Sequence, residues 1–136
     1  DALENVIATI NDIRSGGARL FVVCGCGGDR DPSKREAMGR IASREADVAI
    51  FTSDNPRTED PELILDQIMQ GVEPGAQTLR ITDRGQAIRT AVMMAQRGDI
   101  VLVAGKGHED YQIIGREKHH FDDREQVRAA FDALHK

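Results

Sequence analysis

The sequence predicts a three-layer α/β domain, with a mostly parallel sheet of about six strands and helices on both faces. Three observations carry this reading. The chain has 136 residues, enough for one domain with its own core. Short apolar runs alternate with helical patterns along nearly all of it, which implies parallel strands joined by right-handed crossovers. Three of the runs empty directly into polar loops bearing glycine or proline, and ligands in such sheets bind outside the carboxyl ends of the strands.

The elements follow in order. Leu3, Val6, Ile7, Ile10 and Ile13 recur at helical spacing over residues 2–13, with Asp1 placed to cap the helix and Gly16-Gly17 to stop it. Leu20-Phe21-Val22-Val23-Cys24 is a continuous apolar run, as in a strand buried on both faces. After the loop from Gly25 to Pro32, Ser33 and Glu36 have the spacing of a capping box, opening a helix to about Glu45. Asp47 to Thr52 forms the second strand, and Asp54-Asn55-Pro56-Arg57 is its exit. Asp60-Pro61-Glu62 starts a helix that ends near Gly71. Leu79-Arg80-Ile81 is a shorter strand nearer an edge, and Asp83 with Gln86 caps a helix that Gly98 closes. Ile100 to Ala104 is the most strand-like stretch of all, followed by Gly105-Lys106-Gly107-His108-Glu109-Asp110. Tyr111 to Ile114 and Lys118 to Phe121 pair as a hairpin, and a last helix runs from Asp122 to about His135. No repeat or internal linker divides the chain.

Composition narrows the function. With 40% apolar and 30% charged residues the chain reads as an ordinary globular domain. The net charge is -5, and the basic residues are scattered among acids. No footprint for nucleic acid results. The absence of tryptophan and the single tyrosine also argue against a base-stacking platform. Neither end shows the charged start and apolar stretch of a signal peptide and no apolar run approaches the roughly 20 residues of a membrane span, so a cytoplasmic protein is expected, and a monomer is expected beside it. Cys24 and Cys26 stand too close for a comfortable disulfide and read as reduced, mostly buried thiols.

Two of the motifs have two readings each. Gly25-Cys26-Gly27-Gly28 approaches a dinucleotide turn, but Arg30 occupies the place of the last glycine, leaving a flexible turn or a ligand-approach loop with Arg30 as an anion clamp. Gly105-Lys106-Gly107 lacks the earlier glycine and the following Ser or Thr of a phosphate-binding ATPase loop. His108, Glu109 and Asp110 are consecutive and cannot all face one metal ion from regular structure. His119 and His120 read as surface residues. At Asp54 to Arg57 the proline holds the backbone extended, Asn55 offers donor and acceptor, and Arg57 offers a planar fork for a carboxylate. The alternative is a surface turn in which Arg57 pairs with Glu59 or Asp60.

Taken together, Gly28-Asp29-Arg30-Asp31, Asp54-Asn55-Pro56-Arg57-Thr58 and Gly105-Lys106-Gly107-His108-Glu109-Asp110-Tyr111-Gln112 closely resemble the C-terminal domain of the Mur ligases. Within that family the Asp-Asn-Pro-Arg element marks the members that add meso-diaminopimelate. The resemblance spans essentially the whole chain and implies a Rossmann-like fold and a single domain over residues 1–136, without the UDP-sugar and central ATPase domains. It implies that Arg30, Asp54, Asn55, Pro56, Arg57, Gly105 and Glu109 line the diaminopimelate pocket, and that no residue of this domain is itself catalytic. Lys34, Arg35, Lys106 and His108 become candidates for touching phosphate or product charge. The full enzyme would use ATP and Mg2+ to activate UDP-MurNAc-L-Ala-D-Glu, with neither cofactor held by this domain alone. Two alternatives stand beside this: a free-standing module binding a nucleotide or anion at Gly25 to Pro32, and the same domain of a sister amide ligase of the lysine-adding or folylpolyglutamate type.

Overall fold

The computed structural model describes residues 2–136. The expected cap at Asp1 lies outside the described residues. The chain runs α1 (Ala2–Ile13), β1 (Leu20–Cys24), α2 (Ser33–Glu45), β2 (Val48–Phe51), α3 (Pro61–Met69), β3 (Thr78–Arg80), α4 (Arg84–Met94), β4 (Ile100–Val103), β5 (Tyr111–Ile114), β6 (Glu117–His120) and α5 (Asp123–Ala133). β1 to β4 form one parallel sheet in the order β3-β2-β1-β4.

Alternation along the strands divides the core in two. Leu20, Val22, Cys24, Ala49 and Phe51 point to one face, where Ile7 of α1, Ala42 of α2, and Ile64, Leu65 and Ile68 of α3 cover them. Phe21, Val23, Val48 and Ile50 point to the other, against Ala87, Ile88 and Ala91 of α4 and Val127 of α5. All five residues of β1 are buried, as expected of a central parallel strand. From β1 the chain builds outward through β2 to β3, then crosses to the other side of β1 to lay down β4. The sheet reverses its order between β1 and β4, so the loops leaving these strands flank a crevice.

The sheet has four strands, not about six. The remaining two pair with each other in an antiparallel hairpin, Tyr111 opposite His120 and Ile114 opposite Glu117. The reason lies in β6: Glu117, Lys118, His119 and His120 are all exposed and offer no apolar face to a sheet covered on both sides. The hairpin instead touches the loop after β2, through a bridge between Arg57 and Ile114. β4, the most apolar run, lies at an edge with its residues half-buried.

Caps follow the sequence at three helices and depart from it at one. Asp60, Asp83 and Asp122 accept from the amides of Glu62, Gln86 and Arg124 at the starts of α3, α4 and α5. The Ser33–Glu36 capping box does not form, because the helix already includes Ser33 and Pro32 takes the cap position. Asp31 serves instead, its carboxylate accepting from the Ser33 amide at 3.0 Å. α4 stops at Met94, short of Gly98, where the Lys136 ammonium covers the carbonyls of Val92, Met93 and Ala95.

Two predictions follow from this packing. Gly39 lies inside α2 where alanine normally adds up to about 1 kcal/mol, yet a Cβ there would sit 2.0 Å from the Ile68 carbonyl oxygen of α3. Gly39→Ala should therefore lose about 3 kcal/mol in denaturant unfolding; a gain would contradict the α2–α3 contact. The Asp122 carboxyl is pulled from 3.8 down to about 2, chiefly by its side-chain pairing with Arg124. Because the folded value is depressed, this contribution is full above about pH 4 and disappears as pH falls through about 2. The difference in unfolding midpoint between the parent and Asp122→Asn should close across that window, and a difference constant from pH 5 to pH 2 would refute it.

Candidate functional site

Three loops leave the neighbouring strands β1, β2 and β4 at one rim of the sheet, and they interlock. Gly25 passes so close to β2 that a Cβ would lie 2.0 Å from the Thr52 carbonyl oxygen. Gly28 donates its amide to Asn55 O at 2.8 Å, and a Cβ there would meet Pro56 O at 1.9 Å. These glycines let two backbones lie against each other. Asp29, in a left-handed conformation at φ 54°, accepts from the Thr58 amide and hydroxyl, and the hydroxyl bond chiefly lowers its pKa. Arg57 has φ 52° and does not continue the extended path expected after Pro56. Its amide donates to Ile113 O at 3.0 Å, and its carbonyl accepts from Gly115 N at 2.7 Å. The hairpin fixes this backbone.

Buried cations hold the loops from beneath. Lys106 is 3% exposed, and its ammonium contacts Asp54 at 2.9 Å, Asn55 Oδ1 at 3.1 Å and Tyr111 O at 2.7 Å. Arg35 of α2 is 2% exposed and bonds Glu59, Gln67 and the Gly27 carbonyl. Arg84, at 1% exposed, pairs with Asp123 at 2.8 Å and donates to Ser53 O and Ala104 O, tying the exits of β2 and β4 to α5.

The residues singled out in the sequence separate into two layers. Arg30, Gly105, Lys34 and His108 are exposed, and Arg57 and Glu109 are half-buried. Asp54, Asn55, Pro56, Lys106 and Arg35 lie below them, Asp54 keeping 13% of its side chain exposed. Lys106 and Arg35 therefore turn their charge inward, away from the side on which a phosphate would approach. Arg57 does not pair with Glu59 or Asp60. Its Nη1 donates to Gly28 O at 2.9 Å and more weakly to Asn55 O at 3.4 Å, while Glu59 is taken by Arg35. Among the described residues Arg30 has no ion pair, and its side chain lies with that of Arg57 over Gly27. Glu109 receives Asn55 Nδ2 on Oε1 at 3.2 Å and the Tyr111 hydroxyl on Oε2 at 3.3 Å.

Sequence reasoning gave no site role to Tyr111, Gln112 or Arg84, and set Glu59 against Arg57 when its partner is Arg35. Gln112 ties the hairpin to Asp54 O at 2.7 Å. A signal for Arg84 and Arg35 was available: both stand in the first turn of a helix, where the dipole disfavours a cation. The thiols behave as expected. Burial raises Cys24 to about 12 and Cys26 to about 11, so both stay protonated and are poor nucleophiles. A groove of about 550 Å³ lies beside the rim, lined by Lys34, Met38, Leu102, Gly105 and Gly107, whereas a hollow of about 600 Å³ near Asp99 and Phe131 is at the far end of β4.

Comparison with known proteins finds relatives along nearly the whole chain. The ligase named UDP-N-acetylmuramoyl-L-alanyl-D-glutamate--2,6-diaminopimelate ligase from Trichormus variabilis is 58% identical over 130 residues, covering 96% of this chain and 26% of its own length. The protein of the same name from Geobacillus kaustophilus is 54% identical over 131 residues, covering 96% and 26%. A solved structure under that name superimposes with a TM-score of 0.93 at 48% identity, over 100% of this chain and 28% of the other. The chain thus spans about a quarter of the length of these relatives. The profile described as Mur ligase, glutamate ligase domain matches residues 1–107, from α1 through the first half of the Gly105–Asp110 loop. With that match over most of the chain, on a sheet whose three interlocked loops carry the motifs, this chain belongs to the Mur ligase, glutamate ligase domain family.

Proposed function

We propose that this chain binds and orients meso-diaminopimelate for an ATP-dependent amide ligase that extends UDP-MurNAc-L-Ala-D-Glu in peptidoglycan synthesis. One observation carries the reading: Asn55 joins two opposite charges at the rim, receiving Arg57 Nη1 on its carbonyl and donating Nδ2 to Glu109. Diaminopimelate has two carboxylates and two amines, so its recognition needs cations and an anion at fixed separation. Arg57 and Arg30 take carboxylates, the planar fork of each allowing a bidentate grip. Glu109, with the Gly105 carbonyl, takes an ammonium. Asp54, Asn55 and Pro56 support this set from beneath.

In such a ligase an amine attacks an acyl phosphate, forming an amide and releasing phosphate. The contribution of this domain is to hold the nucleophilic amine in place, which converts an encounter into an oriented reaction. ATP and Mg2+ belong in this reading to the part of the enzyme outside the chain. Among the described residues no three His, Cys, Asp or Glu side chains gather to hold a metal ion. Of the basic candidates Lys34 and His108 are exposed and can approach phosphate or product, whereas the Lys106 ammonium is already engaged. No helix among the described residues is long and apolar enough to cross a membrane; the reading places a monomeric enzyme in the cytoplasm.

Kinetics of the complete ligase test the assignment. Arg57→Ala should raise the KM for diaminopimelate at least about thirtyfold, equivalent to about 2 kcal/mol. An unchanged KM would sink the pocket, and micromolar ATP binding by the 136-residue chain alone would favour the free-standing nucleotide module instead. Gly27→Ala gives a second handle: its Cβ would lie 2.9 Å from Arg57 Nη1, the far end of a flexible side chain. It should displace the guanidinium at little cost in stability, roughly 1 kcal/mol or less, and weaken diaminopimelate binding. Equal losses of folding and binding would speak against it.

A further inference from the structure

We infer that Lys106 is a positioning residue: without touching ligand, it fixes the orientation of the Asn55 amide and so aims the Glu109 carboxylate. This rests on the reading above, in which Glu109 takes the ammonium of the incoming amino acid. The ammonium of Lys106 donates to two acceptors, Asn55 Oδ1 at 3.1 Å and the Tyr111 carbonyl at 2.7 Å, and forms an ion pair with Asp54 at 2.9 Å. At 3% exposure, it is closed off from the side on which a phosphate would approach.

The effect is transmitted through a single amide. Asn55 Oδ1 also accepts from the Ile113 amide at 2.9 Å, so two donors converge on that oxygen. A reversed amide would turn its NH2 toward an ammonium and an N–H, losing both bonds and setting donors against donors. Oδ1 is therefore held inward and Nδ2 must face Glu109 Oε1, at 3.2 Å. Tyr111 completes the arrangement from both ends: its carbonyl accepts from Lys106, and its hydroxyl donates to Glu109 Oε2 at 3.3 Å. Lys106 also lies 3.9 Å from Glu109 Oε1, balancing a site that holds the Asp54 and Glu109 carboxylates together. Without the ammonium, Asn55 Oδ1 keeps only Ile113, Asp54 loses its counter-charge, and Glu109 is directed by the Tyr111 hydroxyl and a less firmly held Asn55 amide. The damage falls on the ammonium side of the pocket.

The test is Lys106→Met in the complete ligase, with the KM of each substrate measured separately. The KM for diaminopimelate should rise roughly tenfold or more, while those for ATP and the UDP-linked dipeptide change by less than about twofold. A proportional change in all three would show a purely structural residue, and no change would show that Asn55 needs no lock; either overturns the inference. A steep effect of Arg57→Ala beside a flat Lys106→Met overturns this inference alone, whereas a flat Arg57→Ala overturns the pocket. If the methionine variant does not fold, NMR of the Lys106 ammonium in the unaltered chain decides. It should exchange slowly with water and stay unmoved by inorganic phosphate; rapid exchange or a phosphate-dependent shift refutes it.

Discussion

A charge taken out of water must be matched or the fold cannot keep it, and the rim is built on that constraint. Lys106 sits between Asp54, Asn55 and the Tyr111 carbonyl, so one ammonium joins the exit of β2, the loop after β4 and the first strand of the hairpin. Arg35 does the same for the glycine loop, Glu59 and α3, and Arg84 for the exits of β2 and β4 and the start of α5. Removing one partner of such a pair typically costs about 3–5 kcal/mol, because the other is left buried and unmatched. Each loop is therefore held by a charge that it shares with another loop.

The glycines show which contacts serve the fold and which serve the surface. At Gly25 and Gly28 an added Cβ would meet backbone carbonyls at 2.0 and 1.9 Å, and the loops could not close. At Gly27 the one tight approach would be to the tip of Arg57, at 2.9 Å. Thus Gly25 and Gly28 secure the approach of two chains, while Gly27 leaves room for a guanidinium. The left-handed backbone at Asp29 and Arg57 belongs to the same arrangement. Conformations that disfavour a side chain cost about 1–3 kcal/mol each and persist only where the surroundings determine them. Here Thr58 clasps Asp29 and the hairpin clasps Arg57.

The parallel sheet was legible because its strands are short apolar runs separated by helices with evident stops, and β1 was delimited to the residue. The convergence of the three loops followed from the adjacency of β1, β2 and β4. What the sequence concealed depends on direction. Nothing in Asp-Asn-Pro-Arg says that Asp54 and Asn55 turn inward while Arg57 stays at the surface, since a loop has no periodicity to assign a face. Lys106 read as an outward cation because lysines are almost never fully buried unless paired, and its partners come from residues distant in the chain. The sheet was overcounted because β5 and β6 have strand-like spacing, but only the burial of both faces distinguishes a sheet strand from a hairpin strand.

The two layers also set where selectivity can arise. Arg57 and Glu109 are half-buried and water still reaches them, so an ion pair formed at this rim alone gains about 0–1 kcal/mol. The same pair closed off from water is worth about 2–5 kcal/mol when one partner is removed. Choosing a substrate with a second carboxylate over one without it needs the larger figure. In the proposed ligase that water must be expelled by the rest of the enzyme, since the chain spans about a quarter of its relatives' length. What the domain contributes beforehand is geometry: Lys106 and Arg35 have fixed the loops before any ligand arrives, so binding does not bear the cost of ordering them. In the proposed pocket the buried layer thus serves the selectivity of the exposed charges by holding their geometry.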